Sequence, residues 1–233
     1  IDRLAITNAN SPSPLILEFD STNQLWNLAK PWPARADFAA VDFLLQQLRA
    51  TRVSQFITDD PNADSDRFGL QPPGVEMTLA LGTNPVFQLQ FGTSPTNDPT
   101  QVFARRLSHS NIVLVSKELV DLLRLPHEKF RDRTLLPFAT AVVDRIEIKT
   151  KENFALERGT NGAWQIVQPF RVPADPGAVR RFFETLSKLK ILHFANDVVT
   201  DFSTFGLAKP ASQYLLMTAL TNAAGVTNRI ALG

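Results

Sequence analysis

One stretch of this chain is written twice. Ile1-Asp2-Arg3-Leu4-Ala5-Ile6 returns as Val143-Asp144-Arg145-Ile146-Glu147-Ile148. Leu25-Trp26-Asn27-Leu28-Ala29-Lys30-Pro31 returns as Ala163-Trp164-Gln165-Ile166-Val167-Gln168-Pro169. Ala36-Asp37 returns as Ala174-Asp175, and Phe68-Gly69-Leu70 returns as Phe205-Gly206-Leu207, each followed by a proline. A repeat of this length constrains architecture before any single residue does, because each copy must be a supersecondary unit of the same design. It also thins the functional clues, since residues shared by both copies are the ones the fold needs.

The pattern inside each copy is strand, strand, strand, helix. In the first copy Asp2–Thr7, Leu15–Phe19 and Leu25–Ala29 read as strands, with a turn at Asp20–Asn23. Asp37 is placed to accept the free amides of a first helical turn. Phe38, Val41, Leu44, Leu45 and Leu48 then form one apolar stripe at helical spacing. In the second copy the strands are Val143–Ile148, Phe154–Glu157 and Trp164–Val167, and Asp175 is the cap, with Pro176 at the first helical position. Its stripe is Val179, Phe182, Phe183, Leu186 and Leu189.

After each helix the chain is polar and reads as loose until Phe-Gly-Leu, where glycine suits a positive φ or a close backbone approach. Val75–Leu81 and Val86–Phe91 form a hairpin through Gly82–Pro85. Tyr214–Leu220 and Arg229–Leu232 are the counterparts, joined by the longer Thr221–Thr227 loop. The first copy alone carries an extension: strands Val102–Leu107 and Asn111–Val115, a helix Glu118–Leu125 stopped by Pro126, and a basic run leading to Leu135–Phe138.

The predicted fold is therefore α+β: two tandem similar modules, each an antiparallel sheet with one main packed helix. The first spans residues 1–141 with its extension and the second, shorter one spans 142–233, with the boundary near Phe138–Val143. The groove between modules is the expected binding surface.

Composition narrows the function classes. With 24 Lys and Arg against 23 Asp and Glu, the net charge of +1 gives no field to attract nucleic acid. The absence of cysteine excludes disulfides, thiol nucleophiles and cysteine metal sites. No run approaches the roughly twenty apolar residues of a membrane span.

The repeated words, in their order, resemble the bacterial domain-of-unknown-function family 4340. They are the Asp-Arg openings (Asp2, Arg3; Asp144, Arg145), Trp-x-x-x-x-Pro (Trp26, Pro31; Trp164, Pro169), the helix-opening Asp37 and Asp175, and Phe-Gly-Leu. Phe130-Arg131-Asp132-Arg133, followed by Leu135-Leu136-Pro137-Phe138, is similar to a further family run. The resemblance implies a cell-envelope protein on the exported side of the inner membrane. It implies anchoring by an N-terminal helix ahead of this region, and in some members a place beside transporter components of gliding-motility type. The family offers no established catalytic residues to carry over.

No constellation for catalysis emerges from the residues. His109, His127 and His193 lack metal-ligand spacing and read as surface or structural. There is no Gly-x-Ser-x-Gly, no Ser-x-x-Lys and no glycine-rich phosphate loop. Asp60, Asn62, Asp64 and Asp66 alternate like calcium ligands, but Ser65 replaces the turn glycine and Gln71 the bidentate Glu, so a solvated loop is the better reading. Trp26 and Trp164 read as core aromatics rather than sugar platforms. Trp32, held between two prolines, and its counterpart Phe170 are the candidate contact residues. Arg131 and Arg133 are candidate anion contacts, weighed against a salt-bridged connection between modules. Arg3 and Arg145 are expected to pair locally or across strands.

The expected function is a non-catalytic envelope module that docks onto a membrane protein complex. No cofactor, nucleic acid or direct membrane contact is expected. The alternative is cell-wall glycan binding or hydrolysis in an inter-repeat cleft, using Trp32, Asp60–Asp66 and His193, which for hydrolysis requires two facing carboxylates.

Overall fold

The structure, a computed structural model, describes residues 1–136, 142–218 and 227–232, the last six through their backbone. It falls into two compact units, Ile1–Asp132 and Arg133–Gly233. The expected boundary at 141/142 and the Leu135–Phe138 segment run into residues 137–141, and the Thr221–Thr227 loop into 219–226, outside the described residues.

The first unit opens with β1 (Arg3–Asn8), β2 (Leu15–Asp20), β3 (Leu25–Lys30) and a two-residue β4 (Ala34–Arg35), followed by α1 (Phe38–Ala50) and β5 (Gln55–Thr58). It continues through β6 (Val75–Leu81), β7 (Asn84–Phe91), β8 (Gln101–Arg106), β9 (Ile112–Ser116) and α2 (Lys117–Leu123). These strands form one antiparallel sheet in the order β4-β3-β2-β1-β6-β7-β8-β9-β5. The second unit has β10 (Arg145–Lys149), β11 (Asn153–Arg158), β12 (Trp164–Gln168), β13 (Val172–Pro173), α3 (Pro176–Lys188), β14 (Ser212–Met217) and β15 (Thr227–Leu232). Its sheet order, β13-β12-β11-β10-β14-β15, follows the same path as β4-β3-β2-β1-β6-β7.

The repeated words correspond to repeated hydrogen bonds. Asp2 N–H donates to Ala80 O and Asp2 O accepts from Phe19 N–H; Asp144 does the same with Met217 O and Arg158 N–H. Ala36 N–H donates to Trp26 O and Ala174 N–H to Trp164 O, both at 3.0 Å. Each Phe-Gly-Leu closes a short 3₁₀ turn. Leu70 N–H reaches Ser65 O and Gly69 N–H reaches Asp66 O; Leu207 N–H reaches Phe202 O and Gly206 N–H reaches Ser203 O. That bond pair is a Schellman cap, which needs a left-handed residue, and Gly69 and Gly206 sit at φ +65° and +70°. The glycine word is thus a backbone device.

Period two on β1, β2, β6 and β9 sends Leu4, Ile6, Leu17, Val75, Met77, Val113 and Val115 to one face, where α1 and α2 cover them. Val41 and Leu44 of α1 are buried and Leu45 and Leu48 pack at the margin. Phe38 departs from the expected stripe: it is 58% exposed, because the core-facing row begins at Val41, one turn into the helix. In the second unit Ile146, Leu156, Val179, Leu186 and Leu216 are buried, with Trp164, Phe182, Phe183 and Tyr214 stacked at 5.7–5.9 Å around them.

Both helix caps form as their sequences predict. Asp37 accepts from Ala40 N–H at 3.0 Å and Asp175 from Gly177 N–H at 2.7 Å. Replacing either aspartate by alanine leaves those amides without an acceptor. The expected cost is about 1 kcal/mol each by urea denaturation, with most of it restored by asparagine.

β5 was not legible in sequence and corrects the reading of a loose segment after α1. Gln55 faces Leu114 and Phe56 faces Val113, closing the far edge of the sheet. On the outer face Arg105 Nε donates to Gln90 Oε1 at 2.8 Å and Arg105 Nη1 to Ser65 Oγ at 3.0 Å. Gln90 Nε2 donates to Glu76 Oε2 at 2.8 Å. This chain of bonds ties the 3₁₀ turn at Ser65–Phe68 onto the strands beneath it.

Candidate functional site

The edge turns of the two sheets carry the exposed aromatics. In the first unit β3 ends in a cis Lys30–Pro31 bond, and the chain turns through Trp32 and Pro33 before β4 folds back, Leu28 against Ala34. In the second unit β12 ends in a cis Gln168–Pro169 bond, and Phe170 and Arg171 lead into β13, Ile166 against Val172. Trp32 is 44% exposed and Phe170 75%. Arg171, next to Phe170 in the chain, donates from Nη1 to Gln165 Oε1 at 3.1 Å. An exposed aromatic on a tight turn presents large apolar area with little freedom to lose, which is the property of an interface anchor.

Trp26 and Trp164 go the other way. Trp26 is buried against Phe19, centroids 5.4 Å apart, and Trp164 packs on Phe183, as a core role requires.

The basic run is engaged within the units. Asp132 pairs with Arg35, and its N–H donates to Arg35 O. Arg131 forms a backbone bridge with Ala36, and its Nε is buried. Arg133 Nη1 donates to Leu192 O at 3.3 Å, and Arg133 O accepts from Ile191 N–H. Arg131 and Arg133 therefore sit in different units, each in its own set of backbone contacts.

Arg3 pairs across strands and Arg145 both across strands and along its own strand, in each case with glutamates rather than with the adjacent aspartates. Arg3 Nε lies 3.2 Å from Glu18, its register partner, and Arg145 pairs with Glu157, its own register partner, and with Glu147 at 2.9 Å. Glu147 first, and Glu157 with it, raise the Arg145 pKa further above its ordinary value.

The acidic loop uses its oxygens locally. Asp60 Oδ1 accepts from Asn62 N–H and Asp64 Oδ1 from Asp66 N–H. Among the described residues no group of three or more His, Cys, Asp or Glu is placed to hold a metal ion. Asp20, Asp98 and Asp201 have carboxyls held below the usual range, chiefly by side-chain bonds from Asn23, Thr100 and Ser203; all three build turns. Of the histidines, His109 Nδ1 is 2.8 Å from Ser108 Oγ, His127 lies 3.5 Å from Glu128, and His193 is exposed.

Two cavities in the first unit escaped the sequence reading. One, about 320 Å³, lies between the Asn8–Ser13 loop and Arg124–Glu128, with Pro31 on its wall. The other, about 380 Å³, opens beside the end of α1 and is lined mainly by apolar side chains, Leu48, Leu89 and Phe91 among them. Both depend on segments far apart in sequence, so no local spacing announces them.

No described helix is long and apolar enough to cross a membrane. No curated protein and no solved structure matches the chain. A family model described as a domain of unknown function, DUF4340, matches residues 26–210, which take in Trp26, both caps, both Phe-Gly-Leu turns and most of both sheets. The chain belongs to the DUF4340 family.

Proposed function

We propose that this chain is a non-catalytic module of the cell envelope that docks onto a membrane-associated protein complex, transporter components among the candidate partners. The observation that carries the reading is the exposed aromatic at the same edge turn of both sheets, Trp32 and Phe170. The flanking edge strands favour recognition through side chains. β4 and β13 are two residues long; Asp132 N–H already bonds to Arg35 O on β4, and Pro173 removes a backbone donor from β13, so neither edge offers a long free run for strand addition.

The test is affinity purification of the full-length protein from its native membranes, as wild type and as the Trp32→Ser, Phe170→Ser and double variants. Wild type is expected to bring down a defined set of membrane proteins, and the double variant to lose them. Its circular dichroism should stay unchanged, because both side chains lie outside the cores. Recovery of cell-wall fragments alone would sink the docking reading in favour of glycan recognition.

A further inference from the structure

The apolar cavity of the first unit has a chemistry that docking does not use. α1 ends before the sheet does, so the core face of β7, β8 and β9 runs on past the helix. Leu48, Leu89, Phe91, Ala104 and Val113 wall the resulting space of about 380 Å³, within the range of about 300–1,000 Å³ typical of small-molecule sites. Val53 and Phe56 stand at its lining, 44% and 64% exposed. β5 places Phe56 there through its pairing with Val113.

The charges around this space have one sign. Its ionisable lining residues are Arg52, Arg105, Arg106 and His109, with no carboxylate among them. Arg105 is committed to the other face, on Gln90 and Ser65. Arg52 donates to Arg49 O at 2.8 Å and so finishes α1. Arg106 is different. Its Cζ lies 4.4 Å from the centroid of the Phe87 ring, and its Nε is buried with no hydrogen-bond partner. Among the described residues no carboxylate pairs with it. A guanidinium offers a rigid fork of donors suited to a carboxylate or phosphate. Here that fork meets only a ring face, beside an apolar space.

We propose that this cavity binds a single-chain anionic amphiphile, a long-chain carboxylate, with its hydrocarbon against Leu48, Leu89 and Val113 and its head on Arg106. Apolar walls exclude a hydrophilic anion, and the one-signed rim selects against a cationic or neutral head. The inference rests on the first unit alone and is independent of the docking reading.

The test is titration of the whole chain with dodecanoate, below the concentration at which it self-associates, by calorimetry. Butanoate, dodecylammonium and vesicles of anionic phospholipid serve as comparison probes. Saturable one-to-one binding of dodecanoate is expected, with butanoate and dodecylammonium each weaker by about tenfold or more. Arg106→Gln is expected to weaken dodecanoate by about tenfold while leaving the thermal midpoint in place. Phe56→Asp, at an exposed position, gives a second variant of intact fold and is expected to weaken binding similarly by placing a like charge at the rim. Equal binding of dodecylammonium, an unaltered affinity in Arg106→Gln, no binding of dodecanoate, or binding to the vesicles only would each overturn the proposal.

Discussion

Gly92→Ala is expected to destabilise the first unit by about 3 kcal/mol or more. A Cβ at residue 92 would lie 1.9 Å from Phe68 O and 2.9 Å from the carbonyl carbon and oxygen of Gly69. Both neighbours are main chain, and both are held. Thr93 N–H donates to Phe68 O at 3.0 Å, and Gly92 N–H donates to Phe103 O at 2.8 Å, so neither the turn nor the strand end can retreat without losing a bond. Gly82→Ala is the control. Gly82 also has positive φ, at +59°, but its Cβ would meet nothing within 4 Å, so its cost is the left-handed backbone alone, about 1–2 kcal/mol. Urea denaturation, with hydrogen exchange at the β6 and β7 amides to localise the loss, separates the two. Equal costs at 82 and 92 would mean that the Phe-Gly-Leu turn is not seated on the strand end.

Leu4→Ala is expected to cost about 2–5 kcal/mol. β1 is central, paired with β2 on one side and β6 on the other, with Leu4 opposite both Leu17 and Leu79. Leu4 and Leu17 are fully buried, as are Val75, Met77 and Val41 around the same core. Removing the isobutyl group leaves a void that a sheet bonded on both edges cannot close, so the cavity adds to the lost transfer free energy. Leu25→Ala, at a position 40% exposed near the sheet margin, should change stability by no more than about 0.5 kcal/mol. The denaturant midpoint should fall for Leu4→Ala with the slope unchanged. A cost as small as that of Leu25→Ala would contradict the placement of β1 at the centre.

Strands with strict alternation, such as Leu4 and Ile6 or Val75 and Met77, were legible because period two leaves one face apolar whatever lies opposite. The caps were legible for a local reason: Asp37 and Asp175 bond to amides two or three residues away. The left-handed glycines were legible too, since few other residues occupy that region at so little cost. β5 was not, because Gln55–Thr58 is too short to carry a pattern and becomes a strand through β9, more than fifty residues on. Phe38 was misplaced since periodicity gives a helix face but not where along the helix the core begins. The cross-strand partners Glu18 of Arg3 and Glu157 of Arg145 follow from register, which the neighbouring aspartates do not reveal.

The candidate sites divide in the same way. Trp32 and Phe170 could be named from sequence, because prolines on the turn and the contrast with Trp26 and Trp164 single them out. Their exposure, and the engagement of Arg131 and Arg133 by backbone, came from the folded chain. The apolar cavity came entirely from it. By itself the sequence determined the repeated backbone design, its turns, its caps and the apolar faces of its strands, since these rest on contacts within a few residues or on period alone. Tertiary structure decided where α1 stops short of the sheet and which arginine is left facing only a ring. Both depend on groups brought together from distant parts of the chain, which no local pattern encodes.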